Sequence, residues 1–245
     1  MNGISEWFMD IKADFVLNFV EQNRWQFITT GLKNTLIITF FSLILGIILG
    51  VLVAIVRASY DKTYQEKRKG FSKIVLAFFN WVCKVYLTVV RGTPVVVQLM
   101  IMYYIIFSSS RNSIMVAIIS FGINSGAYVA EIVRSGIMSI DEGQFEAGRS
   151  LGFDYKRTMW YIIIPQAFKN NLPALANEFI VLLKETSVAG YVTIRDLTMG
   201  GNIIRAATYS AFMPLIVVAL IYLVLVMFFT YLTGKLERRL RNNER

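Results

Sequence analysis

The run 36–56, LIITFFSLILGIILGVLVAIV, holds no charged residue. A helix needs about 20 apolar residues to cross the hydrocarbon core of a bilayer. Inside lipid every backbone N–H and C=O must find a partner, and a single segment can meet that demand only as a helix. This run therefore commits the chain to a helical membrane architecture. Apolar runs at 94–107, 114–133, 172–192 and 212–232 repeat the constraint. With 56% hydrophobic and 17% charged residues and a mean hydropathy of +0.54, the chain is well outside the range of soluble domains.

The run 74–90 is ambiguous, because it carries Asn80 and Lys84. Counted as a span, it would make six crossings and put both chain ends on one side. Residues 57–73 hold Arg57, Lys62, Lys67, Arg68, Lys69 and Lys73, and the tail holds Lys235, Arg238, Arg239, Arg241 and Arg245. Such clusters stay in the cytoplasm. With the acidic N-terminus outside, an odd count follows. The expectation is an all-α polytopic bundle of five transmembrane helices, N-terminus outside and C-terminus inside, with 74–90 a tilted or interfacial lead-in to the second span. Residues 1–27 carry Glu6, Asp10, Asp14 and Glu21 against Lys12 and Arg24, a pattern without a cleavable signal peptide. Their Trp7, Phe8, Ile11, Phe15 and Phe19 suit an amphipathic segment along the outer interface. Residues 28–240 make the membrane domain and 241–245 a basic cytoplasmic tail.

A net charge of +9 in such a chain points to cytoplasmic loops and anionic membrane lipid, not to nucleic acid. There is no histidine and one cysteine, Cys83, so no internal disulfide, no Cys-based metal site and no histidine ligand or base is available. No catalytic or metal-binding residue is assigned. No Gly-rich phosphate loop of the G-x-x-x-x-G-K-[ST] form occurs, so any ATP chemistry belongs to another polypeptide.

Charges within a span cost about 2.5–3.5 kcal/mol each on insertion scales and usually face the bundle interior or a wet cavity. The expected fourth span has Asn177, Glu178, Lys184 and Glu185. Glu178 and Glu185 are two turns apart and share a face. Lys184 could pair with a carboxylate of another helix, and for Lys184 and Glu178 a structural role fits as well as a functional one. Glu185, followed by the hydroxyls of Thr186 and Ser187, is the better candidate for the substrate pathway. Ser42, Gly46 and Gly50 form a small-residue stripe for close helix packing.

The loop 134–171 is mostly polar. Residues 142–151 have helix-forming composition, Gly152 can take the left-handed conformation that ends a helix, and Asp154 can cap a second helix from Tyr155. Pro165 either stops that helix or opens the next. The result is a helix–turn–helix knob.

Glu146-Ala147-Gly148, then Gly152, then Ile162-Ile163-Ile164-Pro165 resembles the EAA signature of ABC importer permeases, with Gly148 in place of Ala and Ile164 in place of Leu. The run from Arg91 to Leu99, RGTPVVVQL, resembles the polar amino acid branch, which moves histidine, arginine, glutamine and similar substrates. Lys184-Glu185-Thr186-Ser187 stands where that family usually shows Lys-Asp-Thr-Ser, and Asn124, Tyr128 and Glu131 continue the pattern. The resemblance covers about 31–240. It implies that Glu146, Ala147, Gly148 and Gly152 contact an ATPase and form the bend of the coupling loop. Gln98, Asn124, Tyr128, Glu185, Thr186 and Ser187 are the pathway candidates, although packing explains Tyr128 equally well. The implied partners are two ATP-binding cassette subunits using ATP and Mg²⁺, a second permease subunit of the same or a related chain, and an extracellular amino acid-binding protein. The implied location is the bacterial cytoplasmic membrane. The carboxylates tilt the substrate towards a cationic amino acid. A secondary carrier using Glu131, Glu178 and Glu185 without an ATPase is the alternative.

Overall fold

The computed structural model describes residues 10–65 and 71–242. Glu6, Trp7 and Phe8 of the expected amphipathic start, Lys67, Arg68 and Lys69 of the basic loop and the last three residues of the tail lie outside the described residues. The long helices are α1 (Trp25–Gln65), α2 (Phe71–Gly92), α4 (Ser113–Met138), α7 (Ile164–Glu185) and α9 (Phe212–Asn242). Shorter ones are α3 (Val95–Ile101), α5 (Glu142–Ser150), α6 (Tyr155–Thr158) and α8 (Leu197–Thr208). Wide π turns at Met102–Ile106 and Met159–Ile163 extend α3 and join α6 to α7, and a 3₁₀ stretch, Thr186–Val192, follows α7. No strand occurs among the described residues.

The segment 74–90 departs from expectation. It belongs to α2, whose Lys73–Gly92 stretch is long and apolar enough to cross a membrane by itself. The apolar helix expected as the second span, Val95–Ile106, is by contrast about 18 Å long, too short to cross alone. The chain bends at Thr93–Pro94, since proline cannot donate to the preceding turn. Gln98 splints the bend. Its Nε2 donates to Val90 O at 2.7 Å, Thr93 O at 3.0 Å and Thr93 Oγ1 at 2.8 Å. Carbonyls that the proline strands are thereby satisfied, and α2 and α3 act as one bent pass. The expected fourth span is also not one apolar helix, because α7 is polar in its lower half and ends at Glu185.

Contacts between side chains give the direction of each pass. Ser42 Oγ donates to Ile118 O at 3.1 Å. A Cβ added to Gly46 would lie 2.9 Å from Ser125 Oγ, and one added to Gly50 only 2.6 Å from Val129 Cγ1. So α1 and α4 run parallel in close contact, and the small-residue stripe packs within the subunit. α7 runs opposite to α4: Asn171 is pressed on Gly136, where a Cβ would collide with the Asn171 side-chain amide, and Ser125 Oγ donates to Glu178 Oε1 at 2.8 Å. Beyond the 3₁₀ stretch α8 continues the same way, from Leu197 N bonded to Thr35 Oγ1 to Thr208 Oγ1 bonded to Asn18 Oδ1. α9 then returns, with Tyr222 beside Thr198 and Phe229 against Phe179. Among the described residues the chain thus makes five passes along the bundle. The C-terminal end of α1, the start of α2, α5, α6 and the C-terminal end of α9 share one end.

The central core joins Ile38, Leu99, Phe121, Leu182, Val192 and Ile194. A second cluster, at the opposite end from α5, holds Phe19, Ile28, Leu197, Ile204 and Val218. Phe19 is therefore a core residue, not an interfacial one, and the fully buried Asn18 ties the N-terminal segment to Thr208 and Ser210.

Candidate coupling loop and polar passage

The loop after α4 is built from local chemistry. Asp141 accepts from Gly143 N at 2.7 Å and caps α5, and Asp154 accepts from Arg157 N at 2.8 Å and caps α6. Each satisfies an N–H that a helix start leaves open. Between them Gly152 has φ +79°, a conformation that glycine adopts without strain, and Phe153 N donates back to Gly148 O at 3.0 Å. A Cβ on Gly148 would sit 2.6 Å from Thr158 Cγ2, so α5 and α6 meet backbone to side chain. Phe145 and Tyr155 stack with ring centroids 6.3 Å apart.

The signature residues divide by role. Gly148 is buried in the hairpin and Gly152 makes the turn, whereas Glu146 and Ala147 face outward. Leu151, at the turn of the hairpin, is 72% exposed, and Trp160 and Tyr161 are exposed as well. The knob is rigid inside and presents an apolar tip with a carboxylate. Pro165 does not stop α6; it stands in the first turn of α7, which follows the π turn without a gap. The π turn at Met159–Ile163 widens the helix ahead of it, and the helix continues through to Glu185.

The pathway candidates are not gathered at one point. Asn124 Nδ2 donates to Gln98 Oε1 at 3.0 Å, so these two amides bind each other and hold the bend of the second pass. Thr186 is fully buried and its hydroxyl donates to Leu183 O at 2.8 Å. Glu178, 8% exposed, is held by Ser125, while Lys184 points outward and does not pair with it. Glu185 and Ser187 are half-buried at the head of α7.

Tyr128 faces a different place, a cleft of about 580 Å³ between α1, α2 and α4. Arg91 forms an ion pair with Glu131 there and lies 5.8 Å from the centre of the Tyr128 ring. Arg57 and Lys84 also line it. Sequence reasoning missed this cluster as a site. The available signal was the helical spacing of Asn80, Lys84, Thr88 and Arg91, which puts them on one stripe of α2.

Five passes stitched by small residues, with a capped two-helix excursion at one end, define a multi-pass helical membrane protein. The chain belongs to the family of binding-protein-dependent transport system inner membrane components, whose profile matches residues 74–242. It is thus a permease-type subunit of the bacterial cell membrane. It is 38% identical over 221 residues to the arginine transport system permease protein ArtQ of Bacillus subtilis (strain 168), covering 89% of this chain and 94% of that one. It is 32% identical over 226 residues to the L-cystine transport system permease protein TcyB of the same organism, covering 91% and 90%. A crystal structure of an amino acid ABC transporter with histidines superposes with a TM-score of 0.77 at 37% identity, over 90% of this chain and 98% of that one. An inward-facing MetNI methionine ABC transporter shares the fold, with a TM-score of 0.72 at 19% identity, over 90% and 99%.

Proposed function

We propose that the chain is the permease subunit of an ATP-driven ABC importer that moves polar amino acids, cationic ones among them, delivered by an extracellular binding protein. The observation that carries this reading is the excursion α5–α6. It is a rigid knob with an apolar tip, it shares an end of the bundle with the C-terminal end of α9, and its helix continues without a gap into the pass that bears Glu178 and Glu185. The names of the similar permeases, for arginine and L-cystine, support the substrate class.

In this reading the five passes are five crossings, with the N-terminus outside and the knob in the cytoplasm. Two ATPase subunits hold ATP and Mg²⁺ and receive the knobs of two permease subunits, this chain twice or this chain and a relative. Glu146, Ala147 and Leu151 make the contact, while Gly148 and Gly152 hold its shape. ATP-driven closure of the ATPases moves the knobs, the passes shift between outward and inward arrangements, and hydrolysis resets them. Tyr128 with the Arg91–Glu131 pair, and Glu185 with Ser187, line the route.

The test is uptake of labelled amino acids by vesicles holding the permease, its ATPase and its binding protein. Leu151→Glu changes only an exposed side chain. Loss of uptake together with release of the ATPase from the membrane is expected. Full uptake by vesicles without ATPase would make the chain a secondary carrier.

A further inference from the structure

We propose that the Arg57–Lys84 corner of the cleft holds the phosphate of one acidic phospholipid, whose acyl chains run along the exposed apolar row of α2. This goes beyond the importer reading and needs only that the chain sits in a membrane.

The uncharged run 36–56 lies within α1, where it is about 30 Å long, which matches the roughly 30 Å hydrocarbon core of a bilayer. Arg57, the next residue, therefore stands where hydrocarbon gives way to headgroups. Its Nε is buried without a hydrogen-bond partner, and a buried donor left unpaired is costly. Lys84 lines the same cleft, and among the described residues neither cation forms an ion pair. Arg91, the third cation there, is engaged by Glu131 and Tyr128 and stays with the passage. With that pair neutral, the corner carries two uncompensated positive charges.

Such a corner suits an anion with no cation of its own. A phosphodiester offers two unesterified oxygens to the guanidinium of Arg57 and the ammonium of Lys84, and the Thr88 hydroxyl lines the same cleft. A zwitterion, whether an amino acid or a choline head, would bring an ammonium group up against three cations. The surface of α2 selects a lipid over a soluble phosphate. Residues three or four apart are neighbours on a helix, so Trp81 stands next to Lys84 and Val85 next to Thr88. Trp81, Val85 and Val89 form one exposed apolar row beside the polar stripe. The Lys73–Gly92 stretch is only 17% buried within its own chain, so this face of α2 is open to acyl chains. Tryptophan is also the residue that anchors at headgroup depth. One lipid covers both stripes and, through its phosphate, ties α1 to the thinly packed α2.

The experiment places the full-length chain in phosphatidylcholine vesicles, with Trp7, Trp25 and Trp160 replaced by Phe so that Trp81 is the remaining tryptophan. Brominated phosphatidylglycerol or brominated phosphatidylcholine is titrated in, and quenching of Trp81 reads which lipid lies beside it. Phosphatidylglycerol is expected to be preferred by about tenfold, the worth of one charge-assisted hydrogen bond. Arg57→Gln and Lys84→Gln should each cut that preference several-fold, and the double variant should abolish it while quenching by brominated phosphatidylcholine persists. That persistence shows that Trp81 still faces lipid in a folded chain. Arg57→Lys and Lys84→Arg, which keep the charges, should retain most of the preference. Equal quenching by the two lipids, or a preference unchanged in the double variant, would overturn the site. Absence of quenching by either lipid would overturn it too, by showing that protein covers α2. Loss of the preference in dilute inorganic phosphate or glycerol phosphate at constant ionic strength would assign the corner to a soluble anion instead. None of these outcomes touches the importer reading, which the uptake test decides.

Discussion

α4 and α9 are both long and apolar enough to span a membrane, yet they occupy opposite environments. Within its most apolar stretch α4 is 61% buried and α9 only 11%. α9 is the more apolar of the two, and α4 carries Ser120, Asn124, Ser125, Gly122, Gly126 and Glu131. Lipid is as apolar as leucine, so apolarity does not draw a helix inward. What draws it inward is the chance of close backbone approach and of polar partners. In this protein the apolar helix is the surface and the mixed one is the core.

The comparison breaks most sharply at Gly50, where a side chain would meet Val129 and the backbone N of Ala130 at 2.8 Å. Gly50→Leu should cost about 3 kcal/mol or more, since overpacking against backbone has no easy relief. It would lower the thermal midpoint in detergent more than any substitution on the exposed face of α9. Gln98→Leu should cost about 2 kcal/mol, because it leaves the carbonyls at the Pro94 bend and Asn124 without their partner. Chemical denaturation checks it, and a neutral result would mean that the bend needs no splint. Ser125→Ala should cost about 1.5 kcal/mol by stranding the Glu178 carboxyl, with a smaller loss in the Glu178→Gln background. A double-mutant cycle reads that difference, and full additivity would show that the two residues do not couple.

A smaller and local effect is expected at Gly152. Gly152→Ala places a side chain at φ +79° with open space around it, so the cost is conformational, about 1 kcal/mol. Faster amide exchange limited to α5 and α6 would show it. At the lower end, Leu223→Ala on the exposed face of α9 should stay within about 0.5 kcal/mol. A larger loss would mean that this face is covered.

The knob was legible in the sequence because its determinants are local. Asp141, Gly152 and Asp154 act on backbone groups two or three residues away or on their own φ. The spans at 36–56 and 114–133 were legible for the same reason, as each run is its own constraint. Reading 74–90 as a mere lead-in failed because hydropathy counts Asn80 and Lys84 without showing that they share a stripe. The role of Gln98 was missed because its partners, Val90 and Asn124, depend on a bend and on a second helix. The burial of Thr186 and its bond to Leu183 O come with the 3₁₀ turn, which leaves no clear mark in the sequence. Contacts between passes, such as those that place Arg57 beside Lys84, have no local signal at all.

If the helical rod from Tyr155 to Glu185 tilts as one body, the close contact between Asn171 and Gly136 sets where it turns. That contact lies part-way along the rod, with Tyr155 about 24 Å to one side and Glu185 about 21 Å to the other. The arms are nearly equal, so the rod neither magnifies nor attenuates a tilt about that contact. A rotation of about 5° moves each end by roughly 2 Å, in opposite directions, at this rise per residue. Push the knob one way and Glu185 swings the other by nearly the same amount.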